Sequence, residues 1–496
     1  MLLQLTHSDT RVHTIPHSCF DSANPTFPEV HHFVTTTTNP PFSTLPLRDE
    51  LLAATRTLDY TSMTPVQMNA LPPILDGKDV MAQARTGSGK TAAFALGLLN
   101  KLDIQIYKTQ ALVLCPTREL SDQVASEIRR LASALPNTKV LTLCGGKPMQ
   151  DQLTSLKRDA HVIVGTPGRI LKHLEKGSLV LNDIQTLVLD EADRMLDMGF
   201  HDDIMRILGK TSAQRQTLLF SATYPDQIQD VSAAIQVEPV EIRVDEAPPE
   251  EQIHQLLYNV TESNKVQALQ TVLGIHQPDS CIVFCNRKQH CQTLATELGN
   301  QGYSVKALHG DLEQFDRDEA MIQFANGSVA VLVATDVAAR GLDISELSAV
   351  INFDLAHDPE THVHRIGRTG RAGNEGLAIS FVLGNEKHRV AAIEEYSNKQ
   401  LPVETLPAPE ARGYKPAQAT TVTLHISGGK KDKVRPGDIV GALTANDALS
   451  KEQIGKIKVL DKMAYVAVSR AQTQIALDTL SNGKIKGRRF RVRTLR

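Results

Sequence analysis

The stretch Ala84-Arg-Thr-Gly-Ser-Gly-Lys-Thr91 limits the fold more than any other part of the chain. It follows the apolar Asp79-Val-Met-Ala82 and opens the helical Ala92-Ala-Phe-Ala-Leu-Gly-Leu-Leu99. Strand, glycine-rich loop and helix in that order make a phosphate-binding loop, with Ala84 standing where its first glycine is usual. Gly87 and Gly89 let backbone N–H groups turn inward around phosphates, and the helix N-terminus adds positive potential. Ala84, Arg85, Thr86, Gly87, Ser88 and Gly89 are therefore candidate ATP contacts. Lys90 supplies a point charge to the β- and γ-phosphates, and Thr91 a hydroxyl for Mg²⁺. A glycine-rich turn with a chance Lys-Thr is the plain alternative, and the flanking elements speak against it.

A second acidic site lies about 100 residues later in Leu187-Val-Leu-Asp-Glu-Ala-Asp193. A carboxylate at the end of an apolar strand is placed to reach a metal ion, so Asp190 is the metal-side acid. Glu191 can position and deprotonate a water. The two sites together predict ATP hydrolysis.

The rest of the chain supports a layered α/β reading. Short apolar runs (Ala111–Cys115, His161–Val164, Thr186–Leu189, Gln216–Phe220) alternate with helical stretches, as in parallel sheets buried on both faces. A break at Glu246–Glu251 precedes a second series: Cys281–Cys285, Val329–Ala334, Ala349–Phe353 and Leu377–Val382. Pro-rich Leu401–Pro416 then reads as a linker. The last segment reads βαββαβ: Val422–Ser427, Pro436–Thr444, Lys456–Leu460, Ala464–Ser469, Ala471–Leu480 and Arg489–Thr494. Residues 1–41, rich in Thr, Pro, His and Ser, carry no sustained period and read as disordered. The expected domains are 42–245, 252–400 and 417–496, with 401–416 between the last two.

At 496 residues, 41% hydrophobic and 22% charged, the chain falls in the globular range, and no apolar run approaches a membrane span. Six cysteines without C-x-x-C spacing argue against zinc and disulfide frameworks and fit a reducing cytoplasm. The net charge of −3 hides a split: residues 417–496 hold 16 Lys or Arg against 6 Asp or Glu, +10, which leaves −13 for residues 1–416. A basic appendage on an acidic body suggests a polyanion partner.

Asp190-Glu-Ala-Asp193 and a series of further motifs resemble the DEAD-box RNA helicases from about Phe42 to Val382. The resemblance implies two tandem RecA-like parallel-sheet domains followed by a small α+β, RRM-like domain, acting as an RNA-dependent ATPase and helicase. It implies that Gln67, in Thr64-Pro-Val-Gln67, reads the adenine edge, that Phe42 and Tyr60 line the base, and that Asp343 binds the ribose. Pro116, Thr117, Arg118, Gly146, Thr166, Gly168 and Arg169 would contact RNA backbone in the first domain, and Gln314, Arg317 and Thr335 in the second. Ser221 and Thr223 would bond Asp193, linking hydrolysis to RNA binding. In His364-Arg-Ile-Gly-Arg-Thr-Gly-Arg371, Arg368 and Arg371 would act as arginine fingers. A solvated basic face is the plain reading of Arg365, Arg368 and Arg371.

The tail, through Ile426–Thr444, Ile454–Ile457, Tyr465–Val468 and Gly483–Gly487, resembles the bacterial DbpA subgroup of that family, directed to a hairpin of 23S ribosomal RNA in large-subunit (50S) precursors. Its RRM-type stacking signature is partial. Tyr465 keeps one aromatic position while Met463, Val468 and Thr423 replace others. Lys430, Lys431, Lys433, Arg435, Lys484, Lys486 and Arg488 are candidate RNA contacts beside Tyr465. The expectation is a cytoplasmic monomer without a membrane partner. Two other readings are a general helicase of messenger RNA with a nonspecific tail, and a clamp whose ATPase has decayed. Lys90, Asp190, Glu191, Arg368 and Arg371 speak against the clamp.

Overall fold

The computed structural model describes residues 31–32, 39–84, 87–223, 226–244, 253–339, 347–370, 375–408, 416 and 418–495. Arg85, Thr86, Asp343, Arg371 and most of the N-terminal extension lie outside the described residues.

The first domain is one parallel sheet built from β1 (His31–His32), β2 (Val80–Gln83), β3 (Ala111–Leu114), β4 (Val140–Leu143), β5 (Val162–Gly165), β6 (Thr186–Asp190), β7 (Gln216–Ser221) and β8 (Val240–Arg243). Their order is β1-β8-β2-β7-β6-β3-β5-β4. Successive side chains enter opposite cores because a strand repeats every two residues. Val80, Ala82, Val113, Val162, Val164 and Val188 pack on one face, and Met81, Leu112, Ile163, Leu187 and Leu189 on the other. Two-sided burial is why these strands read as continuous apolar runs.

The second domain repeats the plan with β9 (Ile253–Val260), β10 (Cys281–Phe284), β11 (Val305–Leu308), β12 (Val331–Ala334), β13 (Ala349–Asn352), β14 (Gly376–Leu383) and β15 (Val403–Thr405), in the order β11-β12-β10-β13-β14-β9-β15. The tail is an antiparallel sheet, β17-β18-β16-β19, of β16 (Thr421–Ile426), β17 (Ile454–Val459), β18 (Ala464–Ser469) and β19 (Val492–Thr494). Helices Pro436–Leu443 and Thr473–Asn482 cover one face of it.

Two expectations need correction. The extension read as wholly disordered supplies β1, which pairs with β8 through His31↔Ile242. The stretch read as a linker from Leu401 begins inside the second domain: Leu401 is buried, and β15 pairs with β9 through Val403↔Leu257. Pro402 precedes this strand at the sheet edge, where a missing N–H is tolerated. Among the described residues no helix is long and apolar enough to cross a membrane. Cys115, Cys144, Cys281, Cys285 and Cys291 are free and buried, and burial pushes the Cys144 and Cys291 thiols up to about 11.

Candidate active site and nucleic-acid interface

The predicted site residues of the first domain collect beyond the carboxyl ends of its parallel strands, where crossover helices begin and backbone N–H groups point outward. Beyond β2, Ala84 donates to the Ser221 carbonyl (2.9 Å), which ties the start of the phosphate loop to β7. Gly87 and Gly89 take left-handed φ of 89° and 94°, and helix Lys90–Lys101 follows. A Cβ on Gly89 would lie 2.4 Å from Gln67 Nε2, so the close approach of Gln67 requires glycine there.

Gln67, expected at the adenine edge, lies against the phosphate loop. Its Nε2 donates to the Gly89 carbonyl (3.1 Å) and its Oε1 accepts from the Thr64 N–H (2.9 Å). Both ends of the amide are used, so it braces the phosphate loop against the Pro65–Leu75 helix. Phe42 stacks on Tyr60 at 6.3 Å between ring centroids, and Phe42 is buried. The Tyr60 hydroxyl donates to Glu127; burial and that carboxylate push the phenol up to about 12.

The ammonium of Lys90 is buried with no hydrogen-bond partner, and Asp190 Oδ1 is in the same condition. A buried cation left unpaired costs far more than an exposed one, so this is a site built for an anion. Burial raises the Asp190 carboxyl to about 6, against the pull of Lys90. Glu191 holds a left-handed φ of 52° directly before helix Ala192–Asp197, and its charge helps to raise the neighbouring Asp190 carboxyl. Among the described residues no group of three or more His, Cys, Asp or Glu could hold a metal ion. A divalent cation beside Thr91 and Asp190 would share its shell with phosphate oxygens and water, as Mg²⁺ prefers.

Asp193 is the hub expected of it, with one difference. It accepts from the N–H groups of Ala222 and Thr223 and from Thr223 Oγ1, all at 3.1 Å, and from the Arg194 N–H at 2.9 Å. Burial opposes its ionisation, but Lys90, the charge and N–H of Arg194, and His364 hold the carboxyl below its usual range. Ser221 contributes its carbonyl to Ala84, and its buried hydroxyl has no partner, so the expected bond to Asp193 is absent.

A second cleft, of 510 Å³, is lined from both domains, by Pro116, Thr117, Arg118, Gly146, Thr166, Gly168 and Arg169 on one side and Arg317 on the other. The Thr117 hydroxyl caps its helix by accepting from Leu120 N–H (3.2 Å). Arg118 Nη1 donates to Gln314 Oε1 (2.5 Å), and Arg317 pairs with Glu119 (3.0 Å). Gly146 has φ 75°, and a Cβ there would strike Arg118. Arg169 is turned from the cleft in part: it donates to the Lys147 carbonyl and Gln152 Oε1 (3.1 Å each), holding the Gly146–Lys147 loop. Glu119, Lys172 and Phe200 line the same cleft and were not anticipated. The signal for Lys172 was its place one turn beyond Arg169.

Thr335 follows β12 and accepts through its carbonyl from Ala338 and Ala339. Arg368 is buried. Arg365 overturns the reading of a solvated basic face. It is 2% exposed and donates to both oxygens of Asp336 (2.7 Å each), to Asn286 (2.8 Å), Asn352 (3.2 Å) and the Asp354 carbonyl (2.7 Å). It is a strut joining the loops after β10, β12 and β13.

In the tail, Leu424, Ile426, Ala464, Val466 and Val468 enter the tail's own core, so alternation turns Thr423, Tyr465, Ala467 and Arg493 to the other sheet face. That face is closed by helix Gln314–Ala325 of the second domain: Tyr465 is 1% exposed and packs with Ile322 and Leu495. Tyr465, expected to contact RNA, is therefore sealed inside the protein. The threonine at one of the stacking positions has a physical reason, since Thr423 bonds Asn326 (3.1 Å) and Ser328 (2.7 Å). The two basic loops come together instead: Lys486 donates to the Lys433 carbonyl (2.9 Å), and Arg488 faces Asp432 (3.8 Å).

Residues 64–231 match the family model for DEAD/DEAH box helicases, 264–373 the helicase conserved C-terminal domain, and 423–494 the DbpA RNA binding domain. The chain belongs to the DEAD-box ATP-dependent RNA helicases. Within them it is similar to the ATP-dependent RNA helicase DbpA of Escherichia coli, 54% identical over 88% of this chain and 96% of that protein. It is also similar to DbpA of Bacillus subtilis, 38% identical over 91% and 98%. Among solved structures it resembles Saccharomyces cerevisiae Dbp5 bound to RNA and ADP BeF3, with a TM-score of 0.67 and 32% identity over 74% of this chain and 96% of that one. It is thus a DbpA-like ATP-dependent RNA helicase that binds RNA and uses ATP.

Proposed function

We propose that this helicase remodels short duplexes of 23S ribosomal RNA during 50S subunit assembly, and that its basic loops select the RNA. The observation that carries this reading is the joining of the Lys430–Arg435 and Lys484–Arg488 loops into one basic surface while the sheet face is occupied by protein. Lys430, Lys431, Lys433, Arg435, Lys484, Lys486 and Arg488 would hold a hairpin by its backbone and loop edges. The match of residues 423–494 to a DbpA RNA binding domain supports RNA as what the tail holds.

In the active site, Lys90 would neutralise the β- and γ-phosphates, while Thr91 and Asp190 hold Mg²⁺. The metal supplies charge neutralisation at the transferring phosphoryl group when bound. Glu191 takes the proton of the attacking water, and Arg368 and Arg371 stabilise charge from the second domain. Ala84 to Gly89, Phe42, Tyr60 and Asp343 complete the nucleotide site. Gln67 reads the adenine edge and braces the phosphate loop through the Gly89 carbonyl. Pro116, Thr117, Arg118, Gly146, Thr166, Gly168 and Arg169, with Gln314, Arg317 and Thr335, grip RNA backbone. Asp193 and Thr223 carry the coupling between the two sites. The protein works as a monomer in the cytoplasm.

The test is the Kd of the full chain for a 23S rRNA hairpin fragment and for random RNA of equal length, across a salt series. Tighter hairpin binding with a steep salt slope is expected. Equal affinities would favour a general helicase of messenger RNA.

A further inference from the structure

Helix Gln314–Ala325 touches three parts of the molecule at once. Its first turn meets the first domain through Gln314–Arg118 and Arg317–Glu119. Further along, Glu319 pairs with Arg493 of the tail (2.9 Å), Ile322 packs on Tyr465, and the C-cap Asn326 bonds Thr423. At roughly 100° per residue, positions 319, 322 and 326 form one stripe, and 314 and 317 lie roughly 140° round the helix from it, so the two contacts use different faces. The helix spans about 18 Å. One rigid element therefore connects the cleft between the two helicase domains to the tail.

The contact is a built interface. Thr423, Tyr465 and Ala467 have almost no exposure. The Thr423 hydroxyl has two partners across it, Ser328 also reaches Thr421 (3.2 Å), and Thr421 Oγ1 donates to the Asn326 carbonyl (2.8 Å). Separation would strand an apolar patch in water and break an ion pair with four hydrogen bonds. A tail on a loose tether would instead carry a solvated sheet face.

We propose that this helix fixes the tail at a set distance from the cleft, so that the enzyme acts on a duplex lying at one spacing from the hairpin held by the basic loops. Substrate choice then has two parts: the hairpin is recognised by the tail, and the position of the duplex is measured by the docked geometry. A flexible tether would accept many spacings, since its effective concentration changes slowly with length. This rests on the reading of the basic loops as hairpin contacts, and Glu319 and Arg493 enter as positioning residues.

The test uses full-length Glu319→Arg, Arg493→Glu and the charge-swapped double variant. The substrates are a 23S rRNA hairpin joined to a short duplex through single-stranded linkers of graded length, and a hairpin-free duplex. The parent should unwind hairpin-linked duplexes with a sharp optimum in linker length. Each single variant should keep the parent's hairpin Kd and its ATPase with hairpin-free RNA. At the optimal linker each should unwind on the order of tenfold more slowly and lose the optimum. The double variant should recover both. A parent that prefers the hairpin yet tolerates any linker overturns this inference alone, as do single variants that match the parent or a loss the swap does not repair. A parent that binds hairpin and random RNA equally overturns the reading beneath it as well.

Discussion

Replacing Arg365 with methionine should destabilise the second domain while leaving the first unaffected. The guanidinium is 2% exposed and its loss leaves both oxygens of Asp336, the amide oxygens of Asn286 and Asn352 and the Asp354 carbonyl without their donor. It also removes the cation held 5.0 Å from the Phe284 ring. Breaking a buried pair on one side costs roughly 3–5 kcal/mol. The Asp336 side chain is 22% exposed and can recover some hydration, which places the loss near the lower end, about 3 kcal/mol. For a domain of this size each kcal/mol lowers Tm by about 2–4 °C, so the transition should fall by roughly 6–12 °C. Scanning calorimetry of the parent and the variant reads the shift directly. A loss below about 1 kcal/mol would mean that water replaces the guanidinium at no cost and that Arg365 is no strut.

Other outcomes follow from the active site. Lys90→Ala should abolish ATP turnover and leave hairpin binding intact, measured as ATPase rate and RNA Kd on one preparation; undiminished turnover would remove Lys90 from the phosphate site. Glu191→Gln keeps the side-chain shape and loses the base, so it should bind ATP and RNA, hydrolyse slowly and hold RNA longer. Rapid RNA release with slow hydrolysis would break the proposed link between hydrolysis and reopening. Asp190 must be ionised to bind a cation, and burial puts its carboxyl at about 6, so kcat/KM for ATP should fall as pH drops through about 6. The sign for stability is opposite. A raised carboxyl favours the native state when protonated, so Asp190 costs stability in full above about 6, and the cost shrinks as pH falls and is gone only below the ordinary value of 3.8. The activity loss should therefore occur in folded protein, and a pH profile that is flat to about 5 would refute the assignment.

What the sequence made legible was local chemistry. The phosphate loop, Asp190 and Glu191, and the apolar runs of the central strands are each written in a few consecutive residues. Strands β4, β11 and β15 were missed at sheet edges, where one flank is solvated and polar residues such as Lys306 and Glu404 interrupt the pattern, and the interior β8 and β9 because Glu241, His254 and Gln255 break their apolar runs. Glu119 and Gln314 were beyond reach as partners of Arg317 and Arg118, because the latter contact spans 196 positions. Gln67 was anticipated as a nucleotide-site residue, but whether its amide faces the base or the Gly89 carbonyl depends on loop geometry that no spacing encodes. Tyr465 carries the same lesson. An aromatic on an open sheet reads as a stacking platform until a helix from another domain is found against it.

The most direct test of the account is ATPase stimulation of the full chain by a 23S rRNA hairpin fragment against random RNA of equal length. It should be run on the parent and on the variant with Lys430, Lys431 and Lys433 all changed to Glu. These lysine side chains are exposed and make none of the docking contacts described above, so the fold and the docking should survive the change. The account predicts that the parent prefers the hairpin fragment, and that the variant loses that preference, with a shallower salt dependence, while its response to random RNA stays. A variant that still prefers the hairpin fragment would place target selection in the helicase core and contradict the role given to the tail.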